Sequence, residues 1–211
     1  MHHRFFTIGH STRTIEEFVA LLREAEVTEV VDIRTVPRSR TNPQYNREVL
    51  GATLARFQVG YEHIATLGGL RGKSFPEGRS PNLFWENRSF RNYADHALSS
   101  DFRTGLARLR ELGATQATAI MCAEAVWWRC HRRIITDYLL AAGEEVCHIL
   151  GPGHIDAAQM TPAARSDGQG GLIYPPVEAD SETTVGSCSC AATGDVEFKG
   201  RKWCPGPESN Q

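Results

Sequence analysis

Twelve consecutive residues, 122–133, carry two thiols, a carboxylate, an imidazole and three guanidinium groups: Cys122-Ala-Glu124-Ala-Val-Trp127-Trp128-Arg129-Cys130-His131-Arg132-Arg133. Three kinds of chemistry suit such a set. In the first, Cys122 is a nucleophile, Glu124 or His131 is its base, and Arg34 or Arg132 holds an anionic substrate. Cys130 falls in the first turn of a predicted helix, where the helix dipole with His131 or Arg132 would raise its thiolate fraction. In the second, Asp32 and Glu124 act as acid and base in hydrolysis or elimination on a nucleotide or nucleic acid. The arginines would then hold phosphate, and Trp127, Trp128, Phe84 and Trp85 would stack a base. The third is a non-catalytic module that binds a nucleotide or a metal. Seven residues separate Cys122 from Cys130, wider than the usual ligand spacing. Cys130 and His131 on one helix would point about 100° apart. No metal is assigned on this basis.

The elements that must position these groups alternate. Residues 4–8 are short and apolar, and predict a buried strand. Thr14-Ile-Glu-Glu17 fits a capping box, followed by Ile15, Phe18, Val19, Leu22 and Ala25 at helical spacing. Residues 29–33 predict a second strand, and strand–helix–strand is the opening of a parallel α/β sheet. A helix is predicted over about 47–58 and a third strand over 61–64. Residues 65–87 have no periodicity but four glycines (Gly68, Gly69, Gly72, Gly78) and the cations Arg71, Lys73 and Arg79. A stretch this long reads as a lid or ligand-binding loop. Helices are predicted over 90–98 and 102–112, the latter stopped by Gly113. A central strand is predicted over 115–121, a helix over 129–142 and a last strand over 145–150, broken by Gly151-Pro-Gly153. The fold class is therefore α/β, a single three-layer, Rossmann-like domain with a mostly parallel sheet.

In open parallel sheets, ligands sit outside the carboxyl ends of the strands. That geometry collects His10 and Ser11 after strand one, Asp32 and Arg34 at strand two, and Tyr61 and His63 on strand three. Cys122 and Glu124 follow the central strand, with Arg129 to Arg132 behind them. The candidate catalytic groups are Cys122, Glu124, Cys130, His131, Asp32 and His10. The candidate ligand-binding groups are Ser11, Arg34, Arg38, Tyr61, His63, Arg71, Arg129 and Arg132. Each also has a plainer reading: buried cysteines often only pack, carboxylates pair with arginines, and loop histidines are often solvated.

Thr7-Ile-Gly-His-Ser11, Asp32-Ile-Arg34 with Pro37 and Ser39, Tyr61-Glu-His63 before Leu67-Gly-Gly69, Cys122-Ala-Glu124 and Cys130-His-Arg132 together resemble the domain-of-unknown-function family 488. The resemblance covers about residues 4–176. It implies an α/β fold with a shared pocket and supplies no reaction. The approach to Arg129 is also similar to the anion loop of cysteine phosphatases and rhodaneses. However, six residues separate Cys122 from Arg129 and none is glycine, so phosphatase chemistry is not inferred.

Composition sets the remaining bounds. The 211 residues are 41% hydrophobic with a formal charge of −2, which suits one full core and argues against a global basic field. No apolar run approaches the ~18 residues needed to span a bilayer, and no signal peptide is read at the N-terminus. A cytoplasmic location and reduced cysteines are expected. Domain boundaries are expected at 1–178 for the α/β domain and 179–211 for a poorly ordered tail. That tail carries Cys188, Cys190 and Cys204 with Trp203, which would either hold zinc or extend without structure. The reading is an enzyme acting on a small anionic or nucleotide-like substrate. Nucleic acid stays open as a partner, no membrane is expected, and the cofactor and oligomeric state are unknown.

Overall fold

The computed structural model describes residues 4–76 and 79–176. Six strands form the main sheet: β1 (Phe5–Gly9), β2 (Glu29–Asp32), β3 (Gly60–His63), β4 (Thr118–Cys122), β5 (Val146–Gly151) and β6 (His154–Ala157). Their order is β3-β2-β4-β1-β5-β6, parallel except for β6, which pairs antiparallel with β5. The α/β, mostly parallel, three-layer expectation is met.

Alternating burial explains the layers. On β1, Phe6 and Ile8 join Val30 of β2 and Ala119 and Met121 of β4 on one face. That face receives α1 (Ile15–Glu24) and α2 (Arg47–Ala55) through Phe18, Leu22, Leu50 and Leu54. The opposite face, with Phe5, Val31, Ile120 and Cys122, receives α3 (Arg88–His96), α4 (Ser100–Gly113) and α5 (Arg132–Ala141). The α1 capping box forms as expected, Glu17 N–H to Thr14 Oγ1 at 3.2 Å and Thr14 N–H to Glu17 Oε2 at 2.8 Å. Because β1 leads to a helix on one face and its neighbour β4 leads to α5 on the other, the chain parts at the carboxyl ends of these strands. A crevice opens where they part.

Three expectations are corrected. The helix predicted from residue 129 starts at Arg132, after a 3-10 turn at Trp127–Arg129 and an extended Cys130 (φ −125°, ψ 147°). The indole of Trp127 stacks on buried His148, with centroids 4.2 Å apart, and holds this segment out of helical register. The strand over 145–150 is not the last. Gly153, at φ +66°, makes the turn that L side chains resist, and β6 returns beside β5. Two short strands, β7 (Arg165–Ser166) and β8 (Leu172–Ile173), pair beyond it. Gly113 is the last residue of α4, but its backbone is not left-handed. It lies so close to the Phe5 ring that a Cβ would collide with it. No helix among the described residues is long and apolar enough to cross a membrane. The expectations for residues 179–211 fall outside the described residues.

Candidate functional site

A cleft of about 740 Å³ opens at the carboxyl ends of β1, β2 and β4. Its floor and walls include His10, Ser11, Arg34, Arg38, Cys122, Glu124, Arg129, Cys130 and His131. Four separate segments thus deliver reactive groups to one crevice. The loop after β4 crosses directly over the end of β1. The amides of His10 and Ser11 donate to the carbonyls of Cys122 and Ala123 at 2.9 and 3.0 Å. Gly9 makes this crossing possible, since a Cβ there would run into the Glu124 carbonyl.

The thiol side of the cleft lies on the α3–α5 face. Cys122 Sγ, Cys130 Sγ and a ring nitrogen of His131 all lie within 4.8 Å of one another. His131 Nε2 donates to the Ile33 carbonyl at 3.2 Å, which turns Nδ1 toward the thiols. That Nδ1 is 3.6 Å from Cys130 Sγ. Gly69 packs flat against this ring, and a Cβ there would lie 2.5 Å from Nδ1. Arg132 reaches back from the first turn of α5. Its Nε donates to Cys130 Sγ at 3.3 Å and its terminal nitrogen to the Glu124 carbonyl at 2.6 Å. Arg132 is 1% exposed and has no carboxylate partner among the described residues.

These contacts divide the two thiols. Burial opposes charge on Cys130. The hydrogen bonds from Cys122 and His131 and the positive charge of Arg132 outweigh it and hold the Cys130 thiol well below the usual thiol range. Cys122 is pushed well above that range by its hydrogen bond to Cys130 and by burial. Two thiols this close do not ionise together readily, and the contacts favour charge on Cys130 over Cys122.

The opposite side of the cleft lies on the α1–α2 face, and its groups are already satisfied. Asp32, fully buried, accepts from the Arg34 amide at 3.0 Å, from Arg34 Nε at 2.9 Å and from its terminal nitrogen at 2.6 Å. The Tyr61 hydroxyl donates to the same carboxylate at 2.8 Å. Arg34 also donates to the Tyr45 carbonyl at 2.6 Å and to His10 Nε2 at 3.2 Å. His10 Nδ1 donates to the Ser11 carbonyl at 2.9 Å, and its ring stacks on Tyr45 with centroids 4.1 Å apart. Burial and Arg34 push the His10 pKa down to about 4.

The expected site residues therefore divide. Cys122, Glu124, Cys130, His131, His10, Ser11, Arg34, Arg38 and Arg129 line the cleft. Glu124 and Arg129 are exposed at its mouth. Asp32 and Arg132 stand behind the lining, each bonded to a residue in it. Tyr61 spends its hydroxyl on Asp32, and His63 Nε2 bonds to the Arg34 carbonyl at 2.7 Å. Arg71 turns away and pins its own loop through the carbonyls of Ala65, Thr66 and Gly68. Among its described residues, the loop over 65–87 contributes only Gly69 and Leu70 to the cleft. The division of Cys130 from His131 by helical geometry does not hold, because neither residue lies within α5. Sequence reasoning does not single out Val36, Leu70 or Tyr45, and names Gly69 only within the Leu67-Gly-Gly69 motif, with no role. A Gly-Gly pair after an apolar residue, and a Tyr between turn prolines and a helix start, carry no spacing that points to a distant imidazole.

Two thiols and an imidazole are also the donors a soft divalent cation takes, at about 2.3 Å for sulfur and about 2.0 Å for nitrogen. A guanidinium bonded to Cys130 Sγ places positive charge beside that position. This arrangement suits a thiolate better than a second cation.

The molecule is thus an α/β protein with a thiol-floored cleft at its sheet switch point. The family model described as "Domain of unknown function DUF488" matches residues 14–139, more than half of the 211-residue chain. The chain belongs to this family. No curated protein and no solved structure matches it.

Proposed function

We propose that this protein is a thiol enzyme, with Cys130 as nucleophile, acting on a small anionic substrate held in the cleft. One observation carries the reading: Arg132 is buried, has no carboxylate partner among the described residues, and bonds to Cys130 Sγ. A buried guanidinium without a counter-charge costs several kcal/mol, so a thiolate at Cys130 is the anion the site supplies. His131 Nδ1 is placed to take and return the thiol proton, and the Ile33 carbonyl fixes the ring for that task. Arg38 and Arg129 at the mouth meet the negative groups of the substrate. The exposed side chains of Val36 and Leu70 offer apolar contact along the wall, which also suits the planar part of a nucleotide-like molecule.

The carboxylate mechanism is less well supported. Asp32 has its oxygens occupied by Arg34 and Tyr61 and does not line the cleft. Site-resolved alkylation of the native protein from about pH 5 to about pH 9 tests the thiol reading against the free-thiol pKa of about 8.5. Cys130 reacts fast well below that value, and Arg132→Met moves the onset upward. Slow reaction at Cys130 until the protein unfolds, or stoichiometric metal that shields it as purified, overturns the reading.

A further inference from the structure

We infer that Cys122 and Cys130 form a working dithiol that reduces an anionic low-molecular-weight disulfide, Cys130 attacking and Cys122 resolving. The inference rests on the thiol reading above and adds a second catalytic residue and a substrate class.

Three observations lead to it. First, a second thiol stands beside the nucleophile on the cleft floor. Both residues line the cleft, their sulfurs lie within 4.8 Å of each other, and Cys122 is fixed at the end of β4. A phosphoryl or acyl intermediate makes no use of a neighbouring thiol, whereas a mixed disulfide is resolved by one. Second, four backbone donors beside the thiols are already engaged. The amides of His10, Ser11 and Cys130 donate to carbonyls of Cys122, Ala123 and Trp127, and the Glu124 amide bonds to Cys122. They are not free to cradle a phosphoryl group or a developing oxyanion. Attack on a disulfide develops no oxyanion, because charge passes from one sulfur to another. Third, the cleft wall pairs exposed Val36 and Leu70 with cations Arg38 and Arg129 at the mouth. Arg38 lies 3.8 Å from the Glu48 carboxylate, whereas Arg129 has no ion-pair partner among the described residues. Apolar wall and free cation suit a flexible thiol compound that carries carboxylates.

The steps balance. Cys130 thiolate attacks one sulfur of R–S–S–R and forms the Cys130–S–S–R mixed disulfide. The departing R–S⁻ takes the proton held by His131 and leaves as R–SH. The Cys122 thiol then passes its proton to His131 Nδ1, which lies within 4.8 Å. The resulting thiolate attacks Cys130 Sγ and closes the Cys122–Cys130 disulfide. The second R–S⁻ leaves as R–SH with the proton from His131. One substrate disulfide is reduced to two thiols, and two protein thiols are oxidised to one disulfide.

The full-length, reduced protein is mixed with oxidised glutathione, quenched in acid and peptide-mapped by mass spectrometry. Mapping keeps Cys188, Cys190 and Cys204 separate from the site. The expected wild-type product is a Cys122–Cys130 disulfide, with two glutathione molecules released per chain. Cys122→Ser and Cys122→Ala should each hold glutathione on Cys130, with a lifetime longer on the order of tenfold or more. If the wild-type protein instead keeps glutathione on Cys130 as long as these variants do, Cys122 does not resolve. The dithiol inference then falls while the thiol reading stands. It falls in the same way if Cys130 takes no glutathione yet alkylates fast at low pH. If Cys130 takes neither glutathione nor alkylating agent in the native state, both fall. The wild-type product is read directly, so an unstable variant does not leave the inference without a test.

Discussion

Two buried arginines stand on opposite sides of the cleft and are neutralised in different ways. Arg34 is 6% exposed and is gripped by the Asp32 carboxylate through its Nε, a terminal nitrogen and its own amide. Arg132 is 1% exposed and is offered only the Glu124 carbonyl and the Cys130 sulfur. A carboxylate is charged at any neutral pH, so the Arg34 side is a permanent, satisfied scaffold. A thiol carries charge only when something stabilises its anion, so the Arg132 side is where charge can be made, moved and consumed. The contrast separates the groups that shape the cleft from those that react in it.

Both sides share one device, a neutral histidine beside the arginine, and acid should act on both. Burial and Arg34 lower the His10 pKa to about 4, and burial and Arg132 lower that of His148 to about 4. In the unfolded chain each titrates near 6.5. Below about pH 6.5 the unfolded state therefore binds more protons, and stability falls as pH falls. The loss approaches about 1.4 kcal/mol per pH unit for each histidine, down to about pH 4. Denaturant melts across that window test this, and His10→Gln or His148→Gln should each remove about half of the slope. An unchanged slope in one variant alone breaks the symmetry between the two sides, and an unchanged slope in both removes the histidines from the acid response.

Removal of Asp32 comes next in size. Asp32→Ala strands Arg34 without a counter-charge and should lose about 3–5 kcal/mol in denaturant unfolding. Cys130 alkylation in the folded fraction should stay as in the wild type, because the two arginines serve different faces. A loss of thiol reactivity matching the loss of stability would show the two sides to be one unit.

Arg132→Met sharpens the comparison from the other side. Arg132 has no carboxylate to strand, and the thiolate it leaves can take up a proton, so the loss of stability should be smaller than for Asp32→Ala. The thiolate loses its counter-charge, and Cys130 alkylation near pH 7 should slow by about tenfold. A variant that is much less stable but equally reactive would mean that Arg132 only packs.

Much of this is legible in the sequence. Periodicity and the capping box mark the strand–helix alternation, and the placement of polar residues just past apolar runs marks the edge that holds the cleft. Direction is not legible. Asp32 at the end of β2 and Arg34 two residues further on share one face, but which face follows from burial of Val30 and Val31 on opposite sides. The start of α5 at Arg132 is hidden because Arg129 to Arg133 has acceptable helix propensity. The Trp127–His148 stack, a contact 21 residues apart in the chain, overrides it. The loop over 65–87 has the composition of a lid, yet Arg71 ties its first turn down.

Gly69 gives the smallest test and the one most specific to the thiol side. Its Cα lies against the His131 ring, and an added Cβ would sit 2.5 Å from Nδ1, closer than side chains tolerate. Gly69 also lines the cleft, so its far side is open to the ligand. In Gly69→Ala the ring must rotate or the loop must retreat, at a cost of about 1–3 kcal/mol shared between them. If the loop yields, His131 keeps its bond to the Ile33 carbonyl, and Cys130 reactivity is little changed. If the ring yields, Nδ1 leaves Cys130 Sγ, and the alkylation onset should move toward the free-thiol value of about 8.5. The loop segment before Gly69 is pinned through Ala65, Thr66 and Gly68 by Arg71, and Leu70 N–H bonds to Thr35 Oγ1 at 2.9 Å. The ring is held by the Ile33 carbonyl at 3.2 Å, Cys130 Sγ at 3.6 Å and the Tyr93 ring at 4.8 Å, whereas the loop is tied through its backbone, so the side chain is the softer of the two. The expected outcome is a modest loss of stability with a clear upward shift in the pH of Cys130 alkylation. The reverse pattern would remove His131 from the proton path and leave Arg132 alone to hold the thiolate.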